Sequence, residues 1–94
     1  MTTKHPKPHM TETIEDTIVH IRKMISKEDL QHIKDMAEKD LIKLHMSFGM
    51  WIRNTFGLWQ NNEKLLAVTG KTHPDDASSV IIKALWADLN KEAS

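Results

Sequence analysis

Cysteine is absent from this sequence. That removes disulfides, thiolate metal sites, iron–sulfur clusters and cysteine nucleophiles together. Tyrosine is absent too, and the aromatic residues are two phenylalanines and three tryptophans. A surplus of one charge is also missing: 13 Lys and Arg balance 13 Asp and Glu. A general phosphate-binding surface would favour a basic balance, so nucleic acid is not the expected partner. No apolar run approaches the roughly 20 residues that a spanning helix needs, so no membrane partner is expected. The opening residues, Met1–Met10, lack the apolar core of a secretion signal, which points to a cytoplasmic protein. No period-2 strand pattern, internal repeat or low-complexity segment is visible.

What remains is enough for one domain. The chain has 94 residues, 39% of them hydrophobic and 28% charged, an ordinary balance for a folded soluble protein. Residues 1–11 hold two prolines, two lysines and two histidines with little to bury, and read as a flexible arm. Pro6 and Pro8 keep His5 and His9 off a shared helical face, so no metal site is assigned there. A single helical domain is expected over 12–90, followed by a short tail at 91–94.

Helical periodicity runs through that domain. Ile14, Ile18, Ile21 and Ile25 mark a first amphipathic helix, with Thr11 or Thr13 as cap and Glu12, Glu15 and Asp16 near its positive end. Ser26-Lys27-Glu28-Asp29 resembles a capping box and opens a second helix. Continued to Thr55 that helix would be about 43 Å long at 1.5 Å per residue, too long for a domain of this size. A break is therefore expected around Met36–Asp40. The third helix, about Lys39–Thr55, is then the centre of the bundle. At about 100° per residue, Leu41, Leu44, Phe48, Trp51, Ile52 and Thr55 share one arc. His45 and Gly49 continue that arc, and Arg53 lies at its edge. Gly49 would admit a close neighbouring helix, and Gly57 would stop this one. Asn62 is placed to cap a short helix, Glu63–Val68. Pro74 suits the first position of a last helix running to about Leu89, with Asp75 and Asp76 in its first turn. The expected fold is all-α, a bundle of about four helices plus a short fifth.

The polar residues on these faces each carry two readings. His45 is either a satisfied edge histidine or a ligand-binding or acid–base group. Metal ligation lacks a second ligand, since three and four positions on stand Phe48 and Gly49. Arg53 is either one half of an ion pair to Asp75, Asp76 or Asp88, tying the third helix to the last, or a clamp for a partner's anion or carboxylate. His73-Pro74-Asp75-Asp76 is a good helix start, with His73 as cap, or a divalent-metal or catalytic site. Trp59, in a loop, and Trp86, on a helix border, are lids on a small core or anchors for a partner. Met46 and Met50 fall outside the core arc and leave a homodimer open.

Two runs carry a resemblance. The first is Leu41-Ile42-x-x-His45-x-x-x-Gly49-x-x-Ile52-Arg53-Asn54-x-x-Gly57-Leu58-Trp59. The second takes in Asn62, Leu65-Leu66, His73-Pro74-Asp75-Asp76-Ala77-Ser78 and Ile81–Trp86. Together they resemble a bacterial domain-of-unknown-function family of small helical proteins over about Ile14–Leu89. The resemblance implies a small helical protein, often a stand-alone chain, and transfers no activity. Its pattern picks out His45, Gly49, Arg53, Asn54, Trp59, Asp75, Asp76 and Ser78.

With no complete catalytic set, no cofactor motif and a surplus of tryptophans, the first expectation is a non-enzymatic module that binds another protein. It would be an inhibitor, an immunity-type protein or a regulatory partner. Its binding residues would be His45, Arg53, Asn54, Trp59, Asp75, Asp76 and Trp86. The alternative is a small-ligand or metal-dependent activity at a cluster of His45, Arg53, His73, Asp75 and Asp76. Nucleic-acid binding through a helix-turn-helix-like arrangement ranks third, because the third helix is too apolar to face a groove.

Overall fold

The computed structural model describes residues 9–59 and 62–91. Local signals start its helices where the sequence offers caps. The Thr13 hydroxyl accepts from the Asp16 amide at 3.0 Å and opens α1, Ile14–Met24. Ser26 does the same for Asp29 at 3.1 Å and opens α2, Lys27–Asp35. The chain then breaks: Met36 and Ala37 are extended, with ψ of 149° and 148°. This is the break that the length argument requires. A 3₁₀ helix follows over Glu38–Leu44 and α3 over Phe48–Thr55. Asn62 caps α4, Glu63–Val68, and Pro74 begins α5, Pro74–Lys91. All regular structure among the described residues is helical, as expected. No described helix is long and apolar enough to cross a membrane.

The central helix is corrected in two ways. A single helix over 39–55 does not form, because 3₁₀ geometry holds to Leu44 and residues 45–47 make a turn. In a 3₁₀ helix, side chains three apart lie above one another. Leu41 is therefore buried and Leu44 half-buried below the same face, while Ile42 stands 72% exposed. The change of pitch re-phases α3. Its buried residues are Gly49, Ile52 and Arg53, with Phe48 and Trp51 only half-buried. Arg53, expected at an edge, is inside.

The packing centre is α5 rather than the 39–55 segment. It contacts α1, α2, the 3₁₀ helix and α3. Ala77, Ser78, Ile81, Ile82, Leu85 and Leu89 are buried along it. An 18-residue helix gives every shorter element a common surface, which no eight- or nine-residue helix can do. Polar side chains tie down its far half. Arg22 meets Asp88 at 2.7 Å, so Asp88 is not a partner of Arg53. The Trp86 indole donates its N–H to the Met36 carbonyl at 2.9 Å, where α2 ends. Trp86→Phe keeps an aromatic ring but deletes that donor and part of the packed indole, so urea unfolding should report a loss of at least about 1 kcal/mol. An unchanged midpoint would show that the indole tie adds nothing to stability.

The N-terminal boundary also moves. Residues 1–8 of the expected arm, His5 included, lie outside the described residues, as do 92–94 of the expected tail. His9–Thr11 are docked on the domain. The His9 amide donates to the Thr55 carbonyl at 2.7 Å. Thr11 is buried, its hydroxyl 2.6 Å from that of Thr17, and its carbonyl accepts from Asn62 at 2.8 Å. Thr11 is therefore a docking residue, and Thr13 alone caps α1.

Candidate functional site

A cationic side chain placed inside a small helical core must be held by polar partners, because desolvating it unpaired is costly. Arg53 is in this position, with 5% of its side chain exposed. It projects from α3 onto the start of α5, where Gly49 makes room for it. A Cβ on Gly49 would lie 3.0 Å from Arg53 Nη1 and 3.5 Å from Ser78 Oγ. Nη1 donates to Ser78 Oγ at 2.9 Å, and that hydroxyl donates onward to the Asp75 carbonyl at 2.9 Å. On another edge, Arg53 Nε lies 3.4 Å from Asp75 Oδ1. That is ion-pair distance, yet Nε makes no hydrogen bond and is the buried side-chain atom left without one among the described residues. The guanidinium thus ties α3 to α5 with part of its donor capacity unused.

Trp59 covers this group, and local sequence puts it there. Gly57 adopts φ of +73°, and the Leu58 amide returns to the Arg53 carbonyl at 3.0 Å. This is the glycine-terminated closure of a helix end, and Leu58 is buried beneath it. The next residue, Trp59, is turned back along α3. Its ring centre lies 5.9 Å from the Arg53 guanidinium carbon, within cation–π range. It remains 51% exposed.

His73 closes the other side. Its ring meets that of Trp59 edge-on at 6.0 Å. Its Nδ1 accepts from the Asp75 amide at 3.1 Å, so the imidazole caps α5 one residue ahead of Pro74. An Nδ1 that accepts from a backbone N–H carries no proton there. The 3.8 Å approach of Asp75 Oδ2 to the same atom is accordingly not an ion pair.

Arg53, Trp59, His73 and Asp75, of the expected site residues, therefore converge, with Gly49 and Ser78 beneath them. The others stand apart. His45 is half-buried beside Ser79, its Nδ1 3.4 Å from that hydroxyl, which also approaches the Asp75 carbonyl at 3.3 Å. It faces a separate cavity of about 190 Å³ against Ile82, rimmed by Glu38 and Lys83, which pair at 3.0 Å. Asn54 and Asp76 are exposed. Trp86 lies eight residues beyond Ser78 on α5, about 12 Å along the axis. Among the described residues, no three of His, Asp and Glu come together in a way that could hold a metal ion.

A family model described as a domain of unknown function (DUF6794) matches residues 10–89. The chain belongs to that family. No curated protein and no solved structure matches it. The DUF6794 span holds the whole Arg53 cluster, the docked Thr11 and Asn62. Two roles within it escape sequence reasoning. Asn62 is foreseeable as a cap but not as a clamp on carbonyls of Thr11 and Phe56. Ser79 carries no local signal for its place between His45 and Asp75.

Proposed function

We propose that this protein is a non-enzymatic protein-binding module of the bacterial cytoplasm, serving as an inhibitor, immunity-type protein or regulatory partner. One observation carries the reading. Trp59 is half exposed, yet held from below by the Arg53 guanidinium and from the side by His73. Binding surfaces concentrate their energy in a few aromatic and arginine anchors. An anchor already fixed in place loses little rotamer freedom on association. Chemistry is less well supported: the His73 nitrogen facing Asp75 is occupied by a backbone amide. The small-ligand reading keeps one supporting observation, the buried Arg53 Nε that makes no hydrogen bond.

The test is affinity capture from native lysate, followed by titration of the purified pair. Trp59→Ala should leave the helical circular dichroism and the thermal midpoint nearly unchanged. It should weaken the captured complex by about tenfold or more. Absence of any stoichiometric protein on the folded bait, or equal affinity for both baits, would overturn the assignment.

A further inference from the structure

We infer that the Arg53 guanidinium is the receptor for a carboxylate on the binding partner, and that Asp75 fills this receptor in the free protein as a displaceable stand-in. The inference rests on the protein-binding reading and supplies its recognition chemistry.

Burial and pairing are mismatched at Arg53. A side chain 5% exposed ordinarily spends its N–H groups on short, in-plane bonds. Arg–carboxylate pairs reach their strength through two parallel bonds of about 2.8 Å. Asp75 offers Arg53 only a 3.4 Å approach to Nε with no hydrogen bond. The cause is its position in α5. Its amide is held by His73 Nδ1 at 3.1 Å, and its carbonyl accepts from Ser78 at 2.9 Å and Ser79 at 3.3 Å. With its backbone tied at both ends, the short Asp75 side chain meets Nε from the helix side and cannot square up to the fork. A carboxylate arriving on a separate chain has no such restraint.

Displacement is easy in the outward direction. The Asp75 side chain is 42% exposed, so water can receive its carboxylate. Trp59 and His73 stand beside Arg53 and Asp75 as two rings set edge to face, giving the incoming group an aromatic wall beside its methylene carbon. The charge of Asp75 opposes entry until it swings away. Asp76, exposed one residue on, adds only a solvent-screened repulsion. The site therefore binds a carboxylate more tightly once the stand-in loses its charge.

The experiment follows the Trp59 indole N–H by NMR, assigned with Trp59→Phe, at constant ionic strength. Three probes are used. N-acetylglycine presents a chain terminus, N-acetylaspartic acid amide presents an acidic side chain, and N-acetylglycinamide presents no charge. At least one carboxylate should saturate and the neutral probe should not. Whichever acid binds more tightly names the source of the group. Asp75→Asn should tighten that binding by about fivefold, while Asp76→Asn should change it by less than about twofold. Arg53→Lys, which keeps the charge and loses the fork, should abolish saturation. If that variant fails to fold, the comparison of the Asp75 and Asp76 variants decides alone. No saturation by either acid overturns the inference, as does equal tightening in the two Asp variants. Failure here with Trp59-dependent capture intact removes the carboxylate receptor only. Carboxylate binding without any captured protein removes the protein-binding reading and leaves a small-acid site.

Discussion

Asn62→Ala is expected to cost about 3 kcal/mol of stability in urea unfolding. A domain of this size is stable by only about 5–14 kcal/mol, so the loss should lower the midpoint substantially. The residue is 5% exposed and works in three directions. Its carbonyl caps α4 through the Leu65 amide at 3.2 Å. Its amide donates to the Thr11 and Phe56 carbonyls, both at 2.8 Å. Loss of a cap costs about 1 kcal/mol, and each buried carbonyl stripped of its donor costs about as much again. Asn62→Asp separates these roles. It retains the cap acceptor at a helix N-terminus, where a negative charge is favoured, but turns an oxygen toward each carbonyl. If capping were the whole role, Asp would match Asn. The expectation is that Asp is at least as damaging as Ala. Hydrogen exchange at the His9 amide, bonded to Thr55, should accelerate in both variants as the docked segment loosens. Protection unchanged from the parent would show that His9–Thr11 is held independently of Asn62.

Arg53→Ala should cost a similar amount, about 2–4 kcal/mol, and should mobilise Trp59 as well. Three losses combine. The long stem leaves a void between α3 and α5. Ser78 loses the donor at 2.9 Å. Trp59 loses the cation beneath its ring. Asp75 is half exposed and can turn to water, so the cost falls short of that for a fully buried broken pair. Arg53→Lys should recover little, because one ammonium cannot serve Ser78 and Asp75 from different edges. Urea midpoints measure the stability term, and Trp59 side-chain relaxation measures the release of the ring. A folded Arg53→Ala protein with parental stability and a rigid Trp59 would show that the guanidinium is incidental to the cluster.

The helix starts were legible because caps act locally. Thr13, Ser26 and Asn62 each bond an amide three residues on, a distance fixed by helix geometry alone. Pro74 and the Gly57 turn were legible for the same reason. The 3₁₀ run from Glu38 to Leu44 was not. Its residues offer no breaker, and their conformation depends on how Leu41 meets α5. Arg53 shows the same limit. Periodicity set it at the edge of an arc drawn from Leu44. The re-phased α3 and the missing Gly49 side chain place it inside instead, against Ser78 twenty-five residues away.

By itself, the sequence determined that the protein is helical, where four of the six described helices begin, and which polar residues were worth attention. These properties arise from contacts within about four residues, and the chain order contains them. Only the tertiary structure decided that Asp75, and not Asp76 or Asp88, faces Arg53, and that Trp59 and His73 join them. It also decided that His45 and Trp86 stand elsewhere and that α5 is the common surface. Those outcomes depend on the rotation of one helix against another. That rotation is set by the combined packing of Gly49, Ile52, Ser78 and Ile81, which no local interval in the sequence records.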